Sequence, residues 1–396
     1  MVKEVAVIGG GAGGIFASIN LAKALGAENI ILLERLNRIG KKLAVTGNGQ
    51  GNITNKNLSN VNYYSYNDGF FNYAISNFTN KDLIAFFEEL GLVTTVKDNK
   101  VYPLSKQASS VLDLMRYKLE DLNVEVKTEF FVSSVKKEKD YFLITNGNEV
   151  IKAKKVIFAC GGKSSKQFGT DGKSYDLLKP FSHKLTKLTP ALVQLKTEIK
   201  DIKGLHGLRI DALVKGFVNG KFVKETAGEL LFTEYGVSGP VIFQLSGHLL
   251  KNDNAKIVVD FMPNFESDKI IEILKNKQLT APYLTDEDLF TGIINKQIGK
   301  AVIKKANSNK IEDIVKTLKA FEIKVTGSLG FDYAQVTKGG VDTTDINEKT
   351  MESKLVKGLY IVGEMLDVDG DSGGYNLQWA FSSSYLAVKD ILKCKD

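Results

Sequence analysis

Three glycines near the start of the chain have the spacing of a phosphate-binding turn. Gly9, Gly11 and Gly14 fill the pattern G-x-G-x-x-G, after an apolar run that predicts a buried strand and before a stretch with helical apolar spacing. The first glycine permits a tight turn, the second lets the backbone approach a pyrophosphate, and the third lets helix and strand pack closely. The helix N-terminus, from Ala12 onward, offers free N–H groups to the phosphates.

An acidic residue follows the next apolar run at the distance that a ribose contact requires. Glu34 lies 20 positions after Gly14 and closes the run ENIILL. Its carboxylate can accept from both ribose hydroxyls, and its charge would repel a 2′-phosphate. The pattern predicts a dinucleotide site for FAD or NAD rather than NADP, and Arg35 is part of it. The alternative is a tight strand-to-helix turn with an incidental glutamate.

The end of the chain favours FAD over NAD. The run KGLYIVGE predicts a buried strand that closes on Gly363 and Glu364, and the acidic loop DGDSGG then precedes a long apolar-periodic helix. In FAD proteins of the glutathione-reductase type, the acidic residue after this strand accepts hydrogen bonds from the ribityl hydroxyls. The helix N-terminus faces the pyrimidine edge of the flavin. Glu364 fits the first role. The amides of Gly374, Asn376 and Leu377 fit the second role. The alternative is that this stretch is only a structural cap on an ordinary C-terminal helix. The two glycines before the helix are expected to let the ring approach closely.

A third run, KVIFACGG, predicts a buried strand that ends beside the cofactor at Gly161. Cys160 stands where similar folds have threonine, and we interpret it as a buried small residue rather than a redox thiol, because no resolving cysteine is near. The two cysteines, Cys160 and Cys394, and the three histidines have no metal-ligand spacing, so no metal site is expected.

The chain resembles a bacterial NAD(P)/FAD-dependent oxidoreductase family that includes aminoacetone oxidase and bile-acid 3-dehydro-Δ4,6-reductase. The resemblance implies bound FAD, a Rossmann-type flavin domain and an inserted region, with Lys42, Thr46, Gly47 and Asn52 near the flavin and Val132 at the adenine. It does not identify the substrate. The matching blocks are GGGAGG, GKKLAVTGNGQGNITN (40–55), KVYPLSKQASSV (100–111), LLFTEYGVSGP (230–240), VTKGGV (336–341) and GGYNLQWAFSSSY (373–385).

This chain departs from the family pattern in the loop that is expected to run near the flavin. The family commonly has Gly-Arg-Cys-Asn where this chain has Gly49, Gln50, Gly51 and Asn52. Any chemistry that depends on that arginine or cysteine is therefore in doubt, and Glu234 replaces a frequent histidine.

No residue is identified as the catalytic acid. Tyr102, His183 and Gln50 could donate protons or hydrogen bonds, but each has an ordinary structural interpretation as well.

The predicted fold class is α/β, with a Rossmann-type FAD-binding domain, an inserted antiparallel barrel-like domain and a small helical region. An Asn219-Gly220 hairpin signal lies in the insert. The expected segments are 1–189 and 326–396 for the FAD domain, 190–265 for the β-rich insert and 266–325 for its helical part.

Composition excludes several classes of protein. Hydrophobic residues are 43% and charged residues 25%, and the net charge of +7 comes mostly from lysines that are not interleaved with aromatics. We therefore expect no nucleic-acid partner. No apolar run is long enough for a bilayer span or a secretory signal, which favours a cytoplasmic protein without a membrane partner.

Three functions remain open. The first is a reductase that passes a hydride from flavin N5 to an unsaturated carbonyl-type small molecule, with NAD(P)H as a transient donor because no second glycine fingerprint exists. The second is an oxidase of an amine or alcohol, and the third is a non-enzymatic flavin-binding redox sensor. A tRNA-modifying flavoenzyme is suggested only by the basic charge.

Overall fold

The computed structural model describes residues 2–250 and 254–393 of the chain, so Cys394 lies outside the described residues. The chain divides into two compact units. The first joins Met1–Leu188 to Val336–Asp396, and the second is the intervening Thr189–Gln335.

The described residues contain nine α-helices, which we number in chain order. They are α1 (Ala12–Leu25), α2 (Asn72–Asn77), α3 (Asn80–Glu89), α4 (Ala108–Asp121), α5 (Pro240–Leu249), α6 (Ser267–Thr280), α7 (Lys296–Ala306), α8 (Ile311–Lys319) and α9 (Tyr375–Lys393).

The strands are numbered in the same way. They are β1 (Val2–Ile8), β2 (Ile30–Leu33), β3 (Thr54–Asn55), β4 (Tyr63–Tyr64), β5 (Thr94–Lys97), β6 (Lys100–Pro103), β7 (Glu125–Lys127), β8 (Ser134–Lys137), β9 (Phe142–Thr145), β10 (Val150–Phe158), β11 (Thr189–Ala191), β12 (Leu195–Thr197), β13 (Arg209–Val218), β14 (Lys221–Thr233), β15 (Gly236–Ser238), β16 (Ala255–Asp260), β17 (Phe321–Ser328), β18 (Val336–Lys338), β19 (Leu359–Ile361) and β20 (Asp369–Gly370).

A parallel sheet forms the centre of the first unit. Strand β1 lies between β2 and β10, and the last part of β10 also pairs with β19, all in parallel. Val5, Ala6 and Val7 are fully buried, as a continuous apolar run in a doubly covered strand should be. Because parallel strands end at one edge of the sheet, the loops after β1, β2, β10 and β19 meet there.

The C-terminal helix α9 returns to the start of the fold and packs against α1. A Cβ atom on Gly13 would lie 2.6 Å from Ser384 Oγ and 3.0 Å from Ala380 O, so this glycine permits the close helix contact. Trp379 and Phe381 of α9 are 1% and 0% exposed. The first unit therefore joins both ends of the sequence around one core.

The second unit contains a closed barrel in the order β12-β15-β14-β13-β16-β17. The predicted hairpin at Asn219-Gly220 joins β13 to β14, and both turn residues have positive φ, as this turn requires. The Rossmann-type domain and the barrel confirm the predicted fold class. The segment expected to return to the FAD domain at 326 returns at Val336, because β17 closes the barrel against β12 and β16.

Candidate cofactor site

The glycine turn after β1 has the geometry of a phosphate-binding loop. Gly9 has φ +108°, and a Cβ there would lie 2.5 Å from Ala159 O. A Cβ on Gly14 would lie 1.9 Å from Gly9 O, so neither position can carry a side chain. Gly11 differs, because its Cβ would meet nothing closer than Ala159 O at 4.0 Å. The space beside Gly11 is open.

The first turn of α1 begins beside that space, directly after Gly11. The first intrahelical bond runs from Ile15 N–H to Gly11 O (2.9 Å), so the preceding amides, including that of Ala12, have no intrahelical acceptor. The first turn carries no acidic side chain. Open space, free donors and a positive helix end together fit a pyrophosphate group.

Glu34 is buried at the end of β2 and already holds the turn. Its Oε2 accepts from Gly10 N–H and its Oε1 from Leu36 N–H, both at 2.8 Å, and the residue is 9% exposed. Each carboxylate oxygen has a second lone pair, so the group can still accept hydrogen bonds from the ribose hydroxyls.

Arg35 reaches across to a glycine-rich loop. Its Nη1 donates to Asp171 Oδ1 (2.8 Å) and Gly169 O (3.3 Å), and its guanidinium lies 5.0 Å from the Phe131 ring centroid. Val132, the residue after Phe131, is 6% exposed. Arg35, predicted to belong to the dinucleotide site, and Val132, the predicted adenine contact, therefore occupy one neighbourhood.

The strand end at Cys160 and Gly161 is tightly packed. Gly161 has φ +73°, and a Cβ there would lie 2.8 Å from Thr170 Cγ2. The Cys160 thiol donates to Ile8 O at 3.3 Å, and burial raises its pKa to about 12. A thiol with this pKa is protonated at neutral pH and is a poor nucleophile.

Glu364 is the centre of a polar cluster at the end of β19. Its Oε2 accepts from Lys42 Nζ and its Oε1 from Thr337 N–H, both at 2.8 Å. Gly363, just before it, has φ +66° and donates its N–H to Ser383 Oγ of α9 (2.9 Å). Lys42 and Glu364 are thus brought together from sequence positions 322 residues apart. Sequence reasoning missed Thr337, whose N–H donates to Glu364 and whose hydroxyl accepts from the amides of Lys163 and Ser164, because these partners are far away in sequence.

In the loop 46–52, two of the predicted site side chains bond to the protein's own carbonyl groups. The Thr46 hydroxyl donates to Leu43 O (2.8 Å), and Asn52 Nδ2 donates to Thr54 O (2.9 Å). These predicted site side chains therefore hold the shape of the loop.

Three glycines in this loop, Gly47, Gly49 and Gly51, have positive φ, whereas Gln50 is exposed. A Cβ on Gly51 would lie 2.9 Å from Ala108 Cα. The position where the family commonly has cysteine is therefore closed to a side chain here.

The two glycines at the N-terminus of α9 lie against another segment of the protein. A Cβ on Gly374 would lie 2.6 Å from Thr54 O, and one on Gly373 would lie 3.3 Å from Asn55 Nδ2. The positions that side chains on these glycines would take are therefore next to the protein's own loop, and close approach of the ring stays a prediction.

The amides at this helix end still precede the first intrahelical bond, which runs from Gln378 N–H to Gly374 O (3.0 Å). The Asn376 side chain accepts from Gly370 N–H and donates to Gly370 O, both at 2.8 Å, so it fixes the acidic loop. At Asn376 and Leu377, the candidates for cofactor contact are therefore the main-chain groups and not the side chains.

The three candidate proton donors lie on three different segments of the chain. Tyr102 pairs with Thr95 in the β3-β6-β5 sheet, and Gln50 lies in the exposed loop. His183 is buried, with Nε2 2.9 Å from Ser353 Oγ. The described residues contain no cluster of three or more potential metal ligands and no helix suited to crossing a membrane.

The family described as "HI0933-like protein Rossmann domain" matches residues 3–390 of this chain. The chain belongs to this family. A curated relative, the 3-dehydro-bile acid delta(4,6)-reductase of Clostridium scindens, is 35% identical over 98% of this chain and 98% of its own length. The ribosomal RNA dihydrouridine synthase of Haemophilus influenzae is 29% identical, again over 98% of both.

Among solved structures, the 3-ketosteroid delta1-dehydrogenase of Sterolibacterium denitrificans superposes with a TM-score of 0.50 at 11% identity, covering 99% of this chain and 100% of its own. This similarity concerns the fold alone. With the family match and the relatives, the protein is an FAD-dependent oxidoreductase, and FAD is its cofactor. The open space at Gly11 and the donors around it fit that cofactor.

Proposed function

We propose that this protein is a reductase that adds hydrogen across a C=C bond conjugated to a carbonyl group. The observation that carries the proposal is the shared chemistry of two relatives that match 98% of the chain. One is named for reducing the 4,6 double bonds of a 3-oxo bile acid. The other is named for forming dihydrouridine, in which a ring C=C bond beside a carbonyl is reduced.

The proposed cofactor placement follows the polar groups of the site. The pyrophosphate lies at the turn of Gly9 and Gly11, the ribose at Glu34 and the adenine near Arg35. The ribityl chain lies at Glu364, which is oriented by Lys42 and the Thr337 amide. The pyrimidine edge faces the first turn of α9.

The proposed electron donor is NADH or NADPH in transient contact with the flavin. The sequence contains one G-x-G-x-x-G fingerprint, and the FAD site uses it. FAD supplies the hydride chemistry. The protein's own groups bind the cofactor and set its electrostatic surroundings.

A second candidate substrate is ribosomal RNA, favoured by the dihydrouridine synthase relative. An RNA-binding surface would need lysines free to neutralise phosphates. In the helical part of the second unit, several lysines are instead matched by carboxylates, which favours a small substrate. These pairs are Lys275–Glu312 (2.7 Å), Lys296–Asp288 (2.8 Å) and Lys300–Glu287 (3.0 Å).

The test is a two-stage anaerobic stopped-flow experiment on the FAD-loaded protein. NADH and NADPH are compared as reductants by the loss of flavin absorbance. The reduced protein is then mixed with a 3-oxo-4,6-diene steroid, cyclohex-2-enone, unmodified ribosomal RNA or oxygen.

Reoxidation by an enone faster than by oxygen supports the proposal, and reoxidation by RNA alone supports the second candidate. Rapid reoxidation by oxygen, with none by any enone or RNA, would overturn both in favour of an oxidase.

A further inference from the structure

A buried ion pair lies beside the proposed flavin site. Lys338 Nζ is 3.6 Å from Asp369 Oδ2, and the two side chains are 8% and 7% exposed. The ammonium also lies 4.9 Å from the ring centroid of Tyr64, which is the cross-strand partner of Asp369 in the β20–β4 ladder. Three short segments, β4, β18 and β20, thus enclose one cation.

The pair is placed by the same segments that form the proposed cofactor contacts. Thr337, one residue before Lys338, donates its N–H to Glu364. Asp369 lies in the segment that runs from Glu364 to the start of α9 at Tyr375. That segment joins the proposed ribityl contact to the proposed pyrimidine contact, so the cofactor placement proposed above would put the pair near the pyrimidine half of the flavin.

The surroundings of Lys338 are acidic. Asp367 is 2% exposed, and its Oδ2 accepts from Tyr66 N–H at 3.0 Å. Burial raises the pKa of Asp367, with Lys338 acting in the opposite direction. Asp371 accepts from the Tyr64 hydroxyl at 3.1 Å. Lys338 therefore offsets the negative charge of a loop that contains three aspartates.

Stability alone does not account for this pair. Removing two charges from water is costly, and replacing a buried ion pair by apolar groups is often neutral or stabilising. Perturbed, buried charges are concentrated at functional sites. Electrostatic interactions of a buried charge also extend beyond direct contact, because the surrounding dielectric constant is low.

Resting on the cofactor placement proposed above, we propose that the Lys338–Asp369 pair sets the reduction potential of the bound flavin. Uptake of a hydride from NAD(P)H places two electrons and one proton on the ring and adds one negative charge. The Lys338 ammonium stabilises that charge and the Asp369 carboxylate opposes it. Lys338 is thus a positioning and tuning residue rather than a group that touches the substrate.

Neutralising Lys338 and neutralising Asp369 should shift the reduction potential of the flavin in opposite directions. A unit charge about 10 Å away, at an effective dielectric constant of about 20, changes an equilibrium constant on the order of tenfold. Lys338→Met should make flavin reduction about tenfold less favourable, which is about 30 mV for a two-electron couple. Asp369→Asn should make it more favourable by a similar factor, and the double variant should lie close to the wild type.

The experiment measures the potential of each FAD-loaded variant by anaerobic dye equilibration. Lys154→Met is the matched control, because it removes the same charge from an ion pair with Glu4 in which the lysine side chain is 55% exposed. Near-UV circular dichroism and FAD occupancy verify that each variant is folded. If Lys338→Met does not hold FAD, the potentials of Asp369→Asn and of the double variant carry the test.

Opposite shifts for the single variants, cancellation in the double variant and no shift in the control support the proposal. Shifts of the same sign, or an Asp369→Asn potential equal to that of the wild type, would overturn it. The wild-type reoxidation experiment does not depend on the pair. Failure of this inference is therefore distinguishable from failure of the proposed reductase function.

Discussion

Replacing Glu364 by alanine should weaken FAD binding by about 10- to 30-fold. A hydrogen bond to a charged group contributes about 1.5–3 kcal/mol. The Glu364 and Lys42 side chains are 21% and 26% exposed, so solvent screening favours the lower part of that energy range. About 1.5–2 kcal/mol corresponds to the stated change in Kd.

The same substitution should also affect the protein without FAD. Thr337 is 1% exposed, and its N–H would lose the Glu364 oxygen that it now meets at 2.8 Å. An unsatisfied buried donor costs about 1–3 kcal/mol of the free energy of unfolding. Glu364→Gln is the matched control, because its amide oxygen can still accept from Thr337 while the charge opposite Lys42 is lost.

Two measurements separate these effects. Quenching of flavin fluorescence during titration of the apoprotein gives the Kd, and thermal unfolding of the apoprotein gives its stability. We expect Glu364→Ala to lose both and Glu364→Gln to lose mainly affinity. A folded Glu364→Ala variant whose Kd is within about twofold of the wild type would refute the ribityl assignment, since about 0.4 kcal/mol is too little for this bond.

Three further predictions test other parts of the site. Gly11→Val should fold but lose FAD, because its side chain enters open space that the pyrophosphate needs, whereas Gly14→Val should fail to fold; circular dichroism and flavin absorbance of both variants check this. Leu377→Pro, which deletes a first-turn amide, should lower the flavin potential in a dye titration, and Leu377→Ala, which keeps the amide, should not. Burial lowers the pKa of His183 below its ordinary 6.5, although Asp345 opposes this. As pH falls through about 6.5, His183 therefore binds its proton more readily in the unfolded chain than in the folded protein, and the free energy of unfolding should drop. Urea titrations measure this drop, which should be smaller in the His183→Gln variant.

The main features of the FAD domain could be predicted from sequence because backbone geometry determines them. The turn at Gly9 and Gly14 has no room for side chains, so only glycine can occupy those positions. The strand and helix on either side are long and regular, and Glu34 follows at a fixed distance. Local sequence patterns of this kind carry their structural requirement with them.

The parts that could not be predicted depend on contacts between distant segments. The sequence predicts a ligand beside Gly374, but the neighbour that the structure shows is the backbone of Thr54. The sequence predicts the return to the FAD domain at 326, ten residues before Val336. The reason is that β17 has the alternating pattern of any half-buried strand, and its partners β12 and β16 are far away in sequence. Neither contact leaves a local signal.

Two kinds of group therefore have different roles in this site. The first turns of α1 and α9 offer main-chain amides, whereas the amides of Gly49, Gln50 and Gly51 already donate to carbonyls within their own loop. A change such as Gln50 in the exposed loop therefore leaves the helix-end donors in place. Charge must come from side chains, and here it comes from Glu364, Lys42 and the Lys338–Asp369 pair. If the backbone groups and Glu364 hold the cofactor while the Lys338–Asp369 pair sets its potential, Lys338→Met should change the potential without changing the Kd for FAD. Glu364→Ala should change the Kd. Measuring both quantities in both variants would show whether binding and redox tuning are separable, and equal changes of both quantities in each variant would contradict this division.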